Sequence, residues 1–136
     1  MNGELSKNRE SGSVAEEYTA QFLKKQGYKI VERNLRESYK EIDIVALKKG
    51  RIAFVEVKAG KVGGFESPEN RVTLMKMRNI VTAAERYVKK LRKAGIITEL
   101  FEFGFDVAAV GYGKDLDVCE FKYYQDYYKV NEDEIF

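Results

Sequence analysis

The chain has 136 residues, 44% hydrophobic and 34% charged, with a formal net charge of +2, one cysteine and no histidine. This length suits one domain with a substantial core, but not two. The lack of histidine excludes Ser-His-Asp and Cys-His catalysis, His-ligated zinc and imidazole-based nuclease chemistry, leaving carboxylates, lysines, hydroxyls and a metal.

Residues 1–12 are polar and are expected to form a flexible N-terminal segment ahead of a single domain over 13–125. Ser13-Val14-Ala15-Glu16 has the form of a capping box, followed by apolar Val14, Tyr18 and Phe22 at helical spacing, with Gly27 placed to end the helix. Residues 28–31 predict a short strand and 32–38 a polar connection. Two β-rich runs, 41–47 and 52–58, flank Lys48-Lys49-Gly50-Arg51, which is the pattern of a hairpin. A glycine-containing loop follows (Gly60, Gly63, Gly64). Ser67 and Pro68 then supply an N-cap and first position for a long helix that ends at Gly95. Beyond it, 99–103, 105–112 and 118–124 read as strands, and 126–136 as a polar C-terminal tail. With the adjoining runs 99–103 and 105–112 counted together, the order α-β-β-β-α-β-β predicts an α/β fold, a mixed central sheet flanked by helices. No apolar run approaches the roughly 18 residues of a membrane span, and the start lacks the apolar stretch of a signal peptide. Cys119 has no second cysteine to pair with. These features set the expectation of a cytoplasmic protein with no membrane partner.

The hairpin carries the candidate chemistry. Side chains alternate along a strand, so Glu56 and Lys58 share one face, as do Glu41, Asp43, Val45 and Leu47. With Lys49-Gly50 as a two-residue turn, 48 faces 51. That register puts Asp43 opposite Glu56 and Glu41 opposite Lys58. Like charges so opposed destabilise a sheet, and apolar neighbours (Val45, Leu47, Ile52, Phe54) sharpen the conflict. A hydrated surface hairpin with a Glu41–Lys58 pair is the ordinary alternative. A divalent cation resolves the conflict instead, and an oxygen-only donor set suits Mg²⁺ or Mn²⁺, with no small-molecule cofactor required. Glu16 is either the capping-box acid or, from the inward border of its helix, a third ligand.

Charge is unevenly spread. Residues 71–93 hold eight Lys/Arg against one acid, Glu85, whereas 115–136 hold seven acids against Lys122 and Lys129. The basic stretch reads as a solvated helix face or a phosphate-facing one. Tyr123, Tyr124, Tyr127 and Tyr128, on the acidic segment, suit packing or a dimer interface better than stacking on bases.

Together, Glu16, Glu41-Ile42-Asp43 and Val55-Glu56-Val57-Lys58 resemble the PD-(D/E)XK nuclease superfamily. More closely, the chain resembles the YraN-like family of endonucleases, related to archaeal Holliday-junction resolvases. The matching stretches are 12–27, Arg33-Asn34-Leu35-Arg36, 41–44, 54–58, Lys76 with 83–88, and Phe105-Asp106-Val107. The resemblance implies a restriction-endonuclease-like fold, with Glu16, Asp43, Glu56 and the backbone carbonyl of Val57 as metal ligands. It implies that Lys58 orients or deprotonates the attacking water, Glu41 being a possible accessory. By this resemblance DNA is the expected partner, branched or damaged, touched by Arg71, Lys76, Arg78, Arg86 and Lys89. A homodimer follows by analogy with resolvases that pair two active sites. Ile42 stands where the superfamily has proline. Gly60 and Gly104 stand where the family often has basic residues, a loss that bears on substrate affinity. Phe105-Asp106-Val107 is expected to be a core strand rather than catalytic. The resulting expectation is a metal-dependent DNA endonuclease. The alternative is a catalytically silent nucleic-acid-binding or adaptor protein on the same scaffold.

Overall fold

The computed structural model describes residues 3–37, 40–62, 74–97 and 102–128, with side chains described from residue 12 and, in the second helix, from residue 78. The elements are α1 (Gly3–Lys25), β1 (Lys29–Glu37), β2 (Lys40–Lys48), β3 (Arg51–Lys61), α2 (Leu74–Lys93), β4 (Glu102–Tyr112) and β5 (Val118–Tyr128). The five strands form one sheet in sequential order; β3 and β4 are parallel and the other neighbours antiparallel. The parallel step follows from α2, since a helical crossover is what returns the chain in the same direction. This is the expected mixed α/β order.

The helices take opposite faces. Ala20 and Leu23 of α1 pack with Ile44, Ala46, Ala53, Val55 and Ala108, whereas Ile80, Ala84, Val88 and Leu91 of α2 pack with Val45, Ile52, Phe54, Phe105 and Val107. The alternation of β3 sorts these two cores: 53, 55 and 57 face α1, while 52 and 54 face α2. Phe54 and Phe105 stack at 5.6 Å between centroids in the α2 layer, and Phe22 lies 4.9 Å from Phe121 in the other.

Several boundaries differ from expectation. Helix α1 starts at Gly3, so Ser13 lies inside it and no capping box forms there. Strand β1 runs on through the polar 32–37, because Val31 is an extra residue: Ile30 pairs with Ala46 but Glu32 with Val45. That bulge resets the alternation and lets Val31 and Leu35 join the α2-side core while Ile30 faces α1. Strand β3 extends past Lys58 through Gly60, which pairs with Gly111. The predicted strands 99–103 and 105–112 are one strand from Glu102, and β5 continues to Tyr128, into the predicted tail. Ser67, Pro68 and the glycines at 63 and 64 lie outside the described residues. No helix among the described residues is long and apolar enough to cross a membrane.

Candidate active site

The β2–β3 hairpin turns at Lys49-Gly50, with Gly50 at φ 78°, and Lys48 pairs with Arg51. A residue without a Cβ is suited to that left-handed position. The expected register holds from there to Ile44↔Val55, where the described ladder stops. Asp43 and Glu56 are therefore close without being ladder partners, and Glu41 is paired with Arg36 of β1 rather than opposed to Lys58.

The cause is a change of phase in β2. Ile42 and Val45, three residues apart, both join the α2-side core, which strict alternation forbids. Asp43 sits at that phase change, where β2 and β3 part. Its Oδ2 accepts the Val57 N–H at 2.8 Å, so a side chain takes a hydrogen bond that the ladder would otherwise make. Glu41, Asp43, Val45 and Leu47 consequently do not share one face, as the sequence had suggested. Glu56 does lie in phase with Phe54 and is buried.

Burial pushes the Asp43 carboxyl up to about 6; the Val57 hydrogen bond opposes this, and the charges of Glu16, Glu56 and Glu41 add to it. Glu16 is held in the same neighbourhood. Its carboxyl is raised by burial and by Glu41, and lowered by a hydrogen bond from the Asn34 side chain and by Arg33. Its role as a helix cap is thereby replaced by one facing the acidic seam. Lys58 Nζ lies 3.0 Å from Glu56 Oε1, and both are largely buried, the side chains 19% and 10% exposed.

Four carboxylates thus crowd the parting of β2 and β3, with Lys58 at their edge. Among the described residues, no three His, Cys, Asp or Glu side chains converge closely enough to enclose an ion. Carboxylate oxygens are hard donors, so Asp43, Glu56 and Glu16 are the side chains that could serve a divalent cation here, although Glu56 is already paired with Lys58.

Two residues escaped the sequence reading. Asn34 has a left-handed backbone (φ 51°), a conformation asparagine tolerates better than most residues, and it presents its amide to Glu16. Arg33, beside it, meets Glu17 at 2.6 Å on the surface. Both belong to the Arg33-Asn34-Leu35-Arg36 stretch noted in the resemblance, but their roles depend on α1 crossing β1.

Asp106 forms a second buried acidic centre. Its side chain is fully buried, and its two oxygens meet Arg51 Nη2 at 3.0 Å and Nη1 at 3.2 Å. Tyr123 donates to it at 2.5 Å and the Asp126 N–H at 2.8 Å. Burial and the Asp106 charge hold the Tyr123 hydroxyl well above its ordinary value, so it remains a neutral donor. Arg51 is further tied to the Tyr28 hydroxyl at 2.7 Å and to Asp126 at 3.0 Å. A Cβ at Gly104 would collide with the Arg51 guanidinium and the Asp126 carboxylate. Gly104 therefore makes room for a guanidinium arriving from β3.

Of the residues expected to touch nucleic acid, Arg71 lies outside the described residues and Lys76 lies in α2 with its side chain outside them. Arg78 and Arg86 are exposed on α2, and Lys89 is exposed but paired with Glu85 at 3.0 Å.

The profile described as "Uncharacterised protein family UPF0102" matches residues 15–110, a span holding Glu16, Asp43, Glu56, Lys58 and Asp106 but not β5. A UPF0102 protein of Syntrophomonas wolfei is 44% identical over 105 residues, covering 76% of this chain and 85% of its own. One from Clostridium perfringens is 37% identical over 125 residues, covering 90% and 97%. One from Thermotoga petrophila is 51% identical over 74 residues, covering 54% and 67%.

Proposed function

We propose that this chain, which belongs to the UPF0102 family, is a metal-dependent DNA endonuclease that hydrolyses phosphodiester bonds at the parting of β2 and β3. The observation that carries the reading is Asp43. It is a carboxyl withdrawn from water that feels the charges of three further carboxylates, and a bound cation would relieve that repulsion. Asp43, Glu56 and Glu16, with the carbonyl of Val57, would hold Mg²⁺ or Mn²⁺. Such an ion supplies charge neutralisation for a phosphodiester and its leaving oxygen.

The protein's own contribution is positional. The Val57 N–H orients Asp43 and the Asn34 amide orients Glu16. The Lys58 ammonium lies beside Glu56, where a water held by the same carboxylates would come within its reach. There it can orient that water or stabilise negative charge on the attacked phosphate. Branched DNA is the first substrate to test, and a paired-site homodimer the first assembly, both by the resemblance to junction resolvases.

One observation favours a silent, nucleic-acid-binding scaffold as the second reading: no three acids converge among the described residues. Cleavage of four-way junctions, duplex and single strands with Mn²⁺, Mg²⁺ or EDTA separates the two. The endonuclease reading expects metal-dependent cutting that falls by at least about 10²-fold in Lys58→Ala and is abolished in Asp43→Ala, with both variants folded. Binding without metal-dependent turnover, or cutting undiminished in both variants, contradicts it.

A further inference from the structure

Strand β5 is one edge of the sheet, and among the described residues no strand lies beyond it. Its pairing with β4 is regular from Glu120 to Tyr124, between an extra residue at Cys119 and the bulge opposite Asp106. Phe121 and Tyr123 join the α1-side core, so Glu120 and Lys122 stand on the other face by alternation. Both are exposed, and among the described residues neither has an ion-pair partner. On the α1 side, Tyr18 is 44% exposed, and its ring lies 5.0 Å from that of Phe121 between centroids. The edge thus carries an aromatic patch on one face and two opposite, unanswered charges on the other.

We propose that residues 120–124 of β5 pair antiparallel with the same residues of a second copy of the chain, about a two-fold axis through Phe121. An edge strand offers unpaired N–H and C=O groups, and a two-fold contact has to be complementary to itself. About Phe121 it is. Glu120 meets the partner's Lys122, Lys122 meets the partner's Glu120, and Phe121 meets the partner's Phe121 with a Tyr18 ring beside each. Directly opposed side chains have Cβ atoms about 4.5–5.5 Å apart, so all three pairs are within reach. The same residues disfavour other registers. Centring on Glu120 or on Lys122 sets like charges face to face. A slip of one residue sets the charged face of one copy beside the aromatic face of the other.

A lysine and bulges on an edge strand ordinarily discourage pairing. Here the bulges lie outside 120–124 and confine the pairing to that stretch. The lysine has an acid two residues away on its own face, so a second copy answers its charge instead of repelling it. Blocking alone also leaves the exposed Tyr18–Phe121 pair without a role. In the dimer the two sheets join as one of ten strands. Five spacings of about 4.8 Å then separate the two β3 strands, roughly 24 Å, with Glu56 and Lys58 of both copies on one face. Only the use of that spacing on a single DNA rests on the endonuclease reading; the interface does not.

Sedimentation velocity over a concentration series, in EDTA and without DNA, tests the interface. Wild type should sediment as a dimer. Glu120→Lys and Lys122→Glu each put like charges in both facing pairs and should raise the dissociation constant at least about tenfold. Both positions are exposed, so circular dichroism should show both variants folded. Mixed in equal amounts, the two variants should form a heterodimer, because every facing pair is then of opposite charge. The interface is overturned by a wild type that is monomeric at every concentration, by a dimer that either variant leaves unweakened, or by folded variants that stay monomeric when mixed. Because neither metal nor substrate is present, a dimer that never cuts DNA refutes only the endonuclease reading, and cutting by a monomeric wild type refutes only the pairing.

Discussion

Asp43 and Asp106 are both withdrawn from water within one sheet, and their surroundings differ in kind. Asp106 receives a guanidinium, a phenol and a backbone N–H, so its charge is matched where it lies. Asp43 receives one backbone N–H and the repulsion of Glu16, Glu56 and Glu41. A matched buried carboxylate accounts for itself by joining β3, β4 and β5. An unmatched one costs stability and calls for a ligand, which is why the site is placed at Asp43 although Asp106 is the more deeply buried.

The largest expected effect is at the matched centre. Asp106→Ala leaves Arg51 buried without its principal partner and should cost about 3–5 kcal/mol in urea-induced unfolding. A loss below about 1 kcal/mol would remove the contrast. Asp43→Asn should act in the opposite direction. The folded protein holds Asp43 near 6 against an ordinary 3.8, so the folded state binds the extra proton between those values. Stability should therefore fall as pH rises from about 4 to 6, by up to about 3 kcal/mol. The asparagine variant should lose Asp43's share of this decline, keeping only that of Glu16, whose carboxyl is also raised, and be the more stable protein above pH 6, as urea titrations at several pH values would show. A variant that tracks wild type across that window contradicts the assignment.

Gly104→Ala sharpens the same comparison more gently. Its Cβ forces Arg51 or Asp126 aside and should cost about 1–3 kcal/mol by thermal unfolding, whereas an alanine tolerated without loss would show that Arg51 is not fixed. The smallest effect should be at Glu17, whose pair with Arg33 is exposed on both sides. Glu17→Gln should leave the melting temperature unchanged and Mn²⁺ affinity intact. Glu16→Gln, one residue earlier, should weaken Mn²⁺ binding. Equal behaviour of the two variants would deny Glu16 its place at the seam.

Much of this contrast was legible from residue pattern. The Lys49-Gly50 turn set the hairpin register, and the long helix ending at Gly95 was marked in the sequence and is observed as α2. What stayed hidden has a common physical origin in local breaks of period. The bulge at Val31 disguises a strand as a polar connection. The phase change between Ile42 and Val45 moves Asp43 out of direct opposition to Glu56. Asn34 becomes informative only when α1 lies across β1. The compensation between Gly104 and Arg51 is invisible until parallel pairing of β3 with β4 sets them side by side.

Calorimetric titration of Mn²⁺ into wild type and Asp43→Asn near pH 7.5 asks whether Asp43 and its acidic neighbours take up a cation. Wild type should bind Mn²⁺ at the seam, and at about 100 times its dissociation constant the ion should stabilise the fold by roughly 2.7 kcal/mol. The asparagine variant should lose both the heat and the stabilisation. No binding by wild type, or equal binding by the two proteins, would contradict the account.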